Sequence, residues 1–266
     1  MNKVIYEKKL PMRVVMLGSG NTATVLSKLI TKSGHQLVQV LSRNEENAKA
    51  LASLYNASTV PLHSPQFAAA DIYIFALNDA ALEQPEKFSA LSGKLVVHTA
   101  GATPMNVLKY LTSTYGVLYP LQSLTKYMDG TPQIPFLIDG NSKETLSVIS
   151  KFAATLSDKV TEANDLERLN YHVAAIFVNN FTNHLYALAE LFCKNENIDF
   201  SFLYPLIEET ARRVQNNSPF LTQTGPAIRD DIFTLNRHLQ ALNSVPNLKY
   251  IYLKLTESII KHHGKR

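Results

Sequence analysis

Short β-branched and aliphatic runs alternate with helical periodicities through the first 160 residues. Arg13-Val14-Val15-Met16-Leu17 reads as a buried strand closed by Gly18-Ser19-Gly20, and a helix follows in which Ala23, Leu26, Leu29 and Ile30 recur at helical spacing up to Gly34. The pattern repeats with a strand at Leu37–Leu41 and a helix at Glu45–Tyr55. Further strands are predicted at Ser58–Val60, Asp71–Leu77, Lys94–His98, Gly116–Tyr119 and Pro135–Ile138. Continuous apolar strands separated by helices imply a parallel sheet covered on both faces, a doubly wound α/β domain. Beyond Val160 the pattern becomes purely helical, with helices predicted at Asp165–Lys194, Phe200–Asn216, Asp230–Leu242 and Asn247–His262, punctuated by Pro219, Gly225-Pro226 and Pro246. The expected organisation is a Rossmann-type domain over residues 1–160 and an all-α domain over 161–266, with no internal repeat.

Composition narrows the functional classes. The 266 residues are 45% hydrophobic and 18% charged, the profile of an ordinary globular chain. Lysine and arginine exceed aspartate and glutamate by 26 to 22, but Lys261, Lys265 and Arg266 lie in the last six residues, and without them the balance is +1. A nucleic-acid partner is therefore not expected. The single cysteine, Cys193, excludes an intramolecular disulfide and a cysteine-based zinc cage, and no metal site is expected. Residues 1–9 hold no apolar core of signal-peptide length. The longest stretch without acidic or basic charge, Leu169–Ala189, carries four asparagines and two histidines, too many for a lipid-facing span. The expectation is a cytoplasmic protein with no membrane partner.

Gly18-Ser19-Gly20-Asn21-Thr22-Ala23 is a G-x-G-x-x-A string. The first glycine permits a tight turn, the second lets a pyrophosphate approach the backbone, and Ala23 allows close packing of helix on strand. Its place between the first strand and the first helix is the context in which this string binds a dinucleotide at a helix N-terminus. The second strand ends in Ser42-Arg43-Asn44, without the carboxylate that would accept hydrogen bonds from an NAD ribose. Arg43 suits a 2′-phosphate, so the expected cofactor is NADP; the competing reading is a solvated arginine before a helix capped by Asn44. At the neighbouring strand ends, Ala76, Leu77 and Asn78, and His98, Thr99 and Gly101, are candidate contacts to a nicotinamide. Asp79 reads as the cap of a helix beginning at Ala80, and His98 reads equally as a buried structural histidine.

In the long helix His172, Asn179, Asn183, Tyr186 and Glu190 project within about 40° of one direction at 100° per residue. Neutral hydrogen-bonding groups in place of lysine and glutamate suit a partly buried cleft wall, and His172 alone among them titrates near neutrality, which makes it the candidate acid. Arg229, in Thr224-Gly225-Pro226-Ala227-Ile228-Arg229-Asp230, is a candidate clamp for a carboxylate or phosphate, with an Arg229–Asp230 ion pair as the competing reading. The candidate catalytic set is His172, Asn179 and Arg229.

These strings, with His98-Thr99-Ala100-Gly101-Ala102, Tyr119-Pro120-Leu121-Gln122-Ser123, Tyr171-His172-Val173-Ala174-Ala175 and His238-Leu239, resemble a family of bacterial NADP oxidoreductases. Its members join a Rossmann domain to a C-terminal helical domain of unknown function, and are related to pyrroline-5-carboxylate reductases and deazaflavin-dependent NADP reductases. Against the family's common pattern Ala100 replaces a serine and Tyr119 a histidine. The resemblance implies a homodimer through the helical domain and hydride transfer between NADP(H) and a small carbonyl, imine or flavin-like molecule. A dinucleotide-sensing dimer without turnover is the alternative, since a fold alone does not fix a reaction.

Overall fold

The computed structural model describes residues 11–63, 65–78, 82, 85–128, 130 and 132–263. It divides into two compact units, Met1–Asn179 and Asn180–Arg266. The first unit is built on an eight-stranded sheet ordered β3-β2-β1-β4-β5-β6-β7-β8. The strands are β1 (Arg13–Leu17), β2 (Gln36–Ser42), β3 (Ser58–Pro61), β4 (Ile72–Phe75), β5 (Leu95–His98), β6 (Thr114–Pro120), β7 (Phe136–Gly140) and β8 (Val160–Glu162). Six run parallel, and the chain order reverses direction from the centre at β1. β7 pairs antiparallel to β6, and β8 follows β7 in parallel. The doubly wound domain expected from the sequence is present, with an antiparallel extension that the apolar runs did not distinguish.

Side chains alternating along β1 show why both faces must be covered. Val14 and Met16 enter one core with Leu26 and Ile30 of α1 (Asn21–Lys32), Leu51 of α2 (Glu45–Ser53), and Ile149 and Phe152 of α3 (Lys143–Leu156). Val15 and Leu17 enter a second core on the opposite face with Tyr73, Phe75, Phe88, Leu91 and Leu108. α3 is started by Ser142, whose hydroxyl accepts the Thr145 amide, and it had no counterpart among the predicted helices.

The first unit does not stop at residue 160. α4 (Asp165–Ala175) belongs to it, and it opens with a capping box: Asn164 Oδ1 accepts the amides of Leu166 and Glu167 while Glu167 accepts the amide of Asn164. Arg168, 1% exposed, and Asp165 then clamp α4 to the loop after β5. Arg168 Nη2 donates to the Thr103 carbonyl at 2.6 Å and to Asp165 Oδ1 at 2.8 Å, and Asp165 Oδ1 also accepts the Met105 amide at 2.9 Å. The long helix predicted from Asp165 to Lys194 is continuous but not uniform. Ile176–Phe181 wind as π-helix, and the division between the units falls inside that segment.

The second unit continues as α5 (Thr182–Asn195), α6 (Tyr204–Asn216), the short α7 (Pro219–Thr222), α8 (Ile232–Ala241) and α9 (Pro246–His263). Its buried apolar residues among those described are only Cys193, Ala227, Leu235 and Leu242. Phe202, Leu206, Leu221, Phe233 and Tyr250 stand exposed. No helix among the described residues is long and apolar enough to cross a membrane.

Candidate functional site

Strand register assembles one edge of the sheet. Leu17 pairs with Leu41 on one side and Phe75 on the other, and Phe75 pairs with His98. The residues that follow each strand therefore gather at a common carboxyl edge, where open α/β sheets bind ligands. Gly18 donates its amide to the Leu41 carbonyl at 2.7 Å, Ala76 to Leu17 at 2.8 Å and Thr99 to Phe75 at 3.2 Å. Gly18 has φ +127°, and a Cβ there would collide with the Ala76 carbonyl oxygen, so the tight turn needs glycine twice over. A Cβ on Gly20 would meet nothing within 4 Å. The second glycine thus faces open space rather than protein.

That space lies at the start of α1. Gly20 caps the helix without a side chain, and no acidic residue occupies the first turn, so the leading amides of Asn21, Thr22 and Ala23 are left for an anion. Ser19 Oγ donates to Ser42 Oγ at 2.7 Å and joins the turn to the end of β2. Asn21 Oδ1 accepts the Lys126 amide at 3.1 Å and holds the loop after β6 beside the helix start. Asn44 is committed to the fold as the N-cap of α2, its Oδ1 accepting the Asn47 amide at 2.9 Å. Arg43 is exposed, and among the described residues no carboxylate lies within ion-pair distance of it. A glycine cradle with an open floor, an uncapped helix and an unpaired guanidinium fit a phosphorylated dinucleotide. Ala76 and Leu77 are half-buried and Asn78 exposed at the same edge; the predicted Asp79 cap lies outside the described residues.

His98 is sealed inside. It is 0% exposed, and its Nδ1 accepts the Ala100 amide at 3.2 Å, which folds the strand end into the following loop. Burial, then the charge of Arg168, push its pKa from 6.5 down to about 4, so the ring is neutral. The Pro104 carbonyl lies near enough to favour the charged form, but the geometry falls short of a hydrogen bond, and among the described residues Nε2 has no partner. The structural reading of His98 therefore describes its environment. Thr99 is similar: both its amide and its hydroxyl reach the Phe75 carbonyl.

His172 lies where α4 passes the loop after β5. Its Nδ1 is 2.9 Å from the hydroxyl of Tyr119, and the rings meet edge-on with centroids 6.0 Å apart. A Cβ on Gly101 would stand 2.8 Å from His172 Nδ1 and 3.1 Å from Tyr119 Cε2, so Gly101 makes the room for this pair. Desolvation raises the pKa of Tyr119 against the lowering effect of Arg168, and the phenol stays protonated. Tyr119 and Arg168 were not in the predicted set. The spacing Asp165, Arg168, His172 places all three on one helical face, but charges at that spacing read as a solvated face, so the sequence held no signal that α4 is docked.

The other predicted residues are distributed differently. Asn179 is exposed within the π-helical segment, so the straight-helix projection that aligned it with His172, Asn183, Tyr186 and Glu190 does not carry through. Arg229 belongs to the second unit, exposed in a turn where Gly225 has φ +109° and Asp230 φ +55°. Among the described residues no carboxylate is within ion-pair distance of Arg229; Asp231 instead caps α8 through the Thr234 amide and hydroxyl.

Residues 13–101 match the family described as NADP oxidoreductase coenzyme F420-dependent, and residues 134–259 match a domain of unknown function, DUF2520. Among solved structures, a Bacteroides fragilis protein described as a "putative NADP oxidoreductase" is 39% identical, with a TM-score of 0.86 over 94% of this chain and 98% of that one. A reductive aminase from Aspergillus terreus, solved with NADPH and ethyl-5-oxohexanoate, shares the fold at 18% identity, with a TM-score of 0.66 over 96% of both chains. The 1-pyrroline-5-carboxylate reductase of Streptococcus pyogenes does so at 14% identity, with a TM-score of 0.62 over 93% of this chain and 98% of that one. No curated protein matches the sequence. The chain belongs to the NADP oxidoreductase family of the Bacteroides protein, with its NADP oxidoreductase match followed by a DUF2520 region.

Proposed function

We propose that this protein binds NADP(H) across the carboxyl edge of its sheet and reduces a small carbonyl or imine, with a flavin-like acceptor as the third substrate class. The observation that carries the reading is the glycine turn, closed against Ala76 at Gly18 and open at Gly20 over an uncapped helix. Backbone amides of residues 19–23 would hold the pyrophosphate, and Arg43 the 2′-phosphate. Ala76, Leu77, Asn78 and Gly101 would border the nicotinamide, with His98 and Thr99 shaping that wall from within. When bound, the cofactor supplies the hydride. His172 would deliver the balancing proton to the oxygen or nitrogen of the reduced bond through Nε2. Asn179 and Arg229 are the proposed substrate contacts, each exposed on its own unit. The solved reductive aminase and imine reductases with this fold support the substrate class by analogy.

We propose further that the second unit pairs with a second copy of the chain. Four buried apolar residues cannot stabilise five helices in water, whereas the apolar side chains left outside would complete a core shared by two chains. Calorimetry tests the cofactor assignment. NADPH should bind more tightly than NADH, and Arg43→Ala should weaken NADPH by about tenfold while leaving NADH unchanged. Equal affinities, or no heat with either nucleotide, would overturn it.

A further inference from the structure

A neutral imidazole can offer a hydrogen bond to a bound carbonyl or imine only from the nitrogen that carries its hydrogen, and the surroundings of His172 bear on which nitrogen that is. Its Nδ1 has one partner, the Tyr119 hydroxyl at 2.9 Å. A phenol donates or accepts, but an imidazole Nδ1–H and a phenol O–H cannot both point into one hydrogen bond. Tyr119 is 9% exposed, at the end of β6 against Leu137 and Ala163, and has no other hydrogen-bond partner among the described residues. A phenol this little exposed that accepted from Nδ1 would leave its own hydrogen without an acceptor among the described residues, a cost of up to about 1–3 kcal/mol that donation to Nδ1 avoids. Among the described residues Nε2 has no partner, and it is not among the side-chain atoms sealed from solvent.

The pair is held from three directions. Gly101 leaves no Cβ between the rings, and a methyl there would intrude on Nδ1 at 2.8 Å. One turn before His172, buried Arg168 fixes α4 through the Thr103 carbonyl, so the imidazole cannot follow a sliding helix. β6 sets the phenol by its pairing with β7, Tyr119 opposite Leu137.

We infer that Tyr119 is a positioning residue: its hydroxyl donates to His172 Nδ1, holding the neutral imidazole as the Nε2–H tautomer with that hydrogen presented at the carboxyl edge beside Gly101. The inference rests on the proposed donor role of His172, yet its central claim can be read without substrate. Tyr119 would not touch the reacting atoms; it would act only through His172. The same tether explains why the loop after β5 carries glycine at position 101.

Nitrogen NMR of the full chain, with histidines labelled in both ring positions, reads the tautomer directly at a pH where His172 is neutral. The expected signature is a bare, hydrogen-bonded Nδ1 and a protonated Nε2. Tyr119→Phe should move the Nδ1 signal toward that of a free acceptor. A protonated Nδ1 in the wild type, or an Nδ1 signal unmoved in a folded Tyr119→Phe variant, overturns the inference. Gly101→Ala, which acts on the same bond from another side, should reproduce the shift. Turnover separates this claim from the reading beneath it. With NADPH and a cyclic imine, Tyr119→Phe should lower kcat roughly fivefold with KM little changed, as expected for loss of one hydrogen bond. The effect should vanish in a His172→Ala background. If His172→Ala alone leaves turnover intact while the NMR signature holds, the donor role fails and the positioning contact stands.

Discussion

The two compact units use apolar residues in opposite ways. In the first, every strand from β1 to β6 sends aliphatic side chains into one of two cores, and Val14, Met16, Leu26, Ile72, Ile74 and Val97 are fully buried. In the second, Phe202 is 83% exposed and Leu221 86%, and the interior holds little beyond Cys193 and Leu235. A sheet wound on both sides satisfies itself within one chain. A set of helices that leaves Phe202, Leu206, Leu221, Phe233 and Tyr250 exposed does not, and a shared surface with a second copy, as proposed above, would supply the missing burial. On the reading proposed above, the halves would have different tasks: the sheet would shape the cofactor edge, and the helices would pair with a second copy.

The sharpest way to break this comparison is to charge the helical surface. Phe202→Glu with Leu221→Glu should raise the dimer dissociation constant a hundredfold or more in sedimentation velocity, because carboxylates would enter a dehydrated contact. If the second unit were instead complete by itself, such exposed substitutions would shift stability by no more than about 0.5 kcal/mol and leave the molecular mass unchanged.

A smaller effect is expected from the ion pairs that the two units contain. Arg168–Asp165, with the arginine 1% exposed, clamps α4 to the sheet unit; Arg212–Glu209 lies in the open on α6. Arg168→Ala removes the donor to the Thr103 carbonyl and opens a cavity, and should lower unfolding stability by about 3–4 kcal/mol in a denaturant titration. Arg212→Ala should cause no measurable loss. Similar losses from both would mean that α4 is not docked as described.

The same contrast governs what the sequence made legible. Strands β1 to β7 were readable because a twice-covered parallel sheet writes itself as continuous apolar runs, and the glycine turn because its neighbours supplied the strand–turn–helix context. α3 was not read, since Thr145, Val148 and Ile149 are β-branched and blur a helical period beside a strand; three-residue β8 is too short for any pattern. The boundary expected near residue 160 falls at 179/180 because the docking of α4 depends on Arg168 and Asp165, charged residues that read as a solvated face. Of the proposed site, Gly18, Gly20, Arg43 and His172 are residues that local spacing alone singles out. Tyr119 was noted only as a departure from a family pattern, because its partner is 53 positions away in sequence. The π-helical turn left no periodic mark, and it separated Asn179 from the stripe to which a straight helix assigned it.

His98 gives the smallest of the expected effects and the one most specific to the sheet unit. Its folded pKa lies near 4 and its unfolded value near 6.5, so the native state prefers the neutral ring. Above pH 6.5 neither state binds the proton and the ring contributes nothing to pH dependence. As pH falls below 6.5 the unfolded chain takes up a proton that the native state refuses, and stability declines until about pH 4, where the native ring titrates as well. The full loss is on the order of 3 kcal/mol. Asp139 works in the opposite direction: burial raises its carboxyl pKa, so its protonation favours the native state as acid is added. The net slope of the wild type therefore understates His98, and the informative quantity is the difference between wild type and His98→Asn. Asparagine offers an oxygen near the place of Nδ1 for the Ala100 amide but does not titrate. Urea unfolding between pH 4 and 7 should show the two proteins diverging as pH rises from 4, with the wild type gaining stability more steeply. Parallel curves would show that His98 is hydrated and charged in the native state, and that the wall behind the carboxyl edge is not sealed.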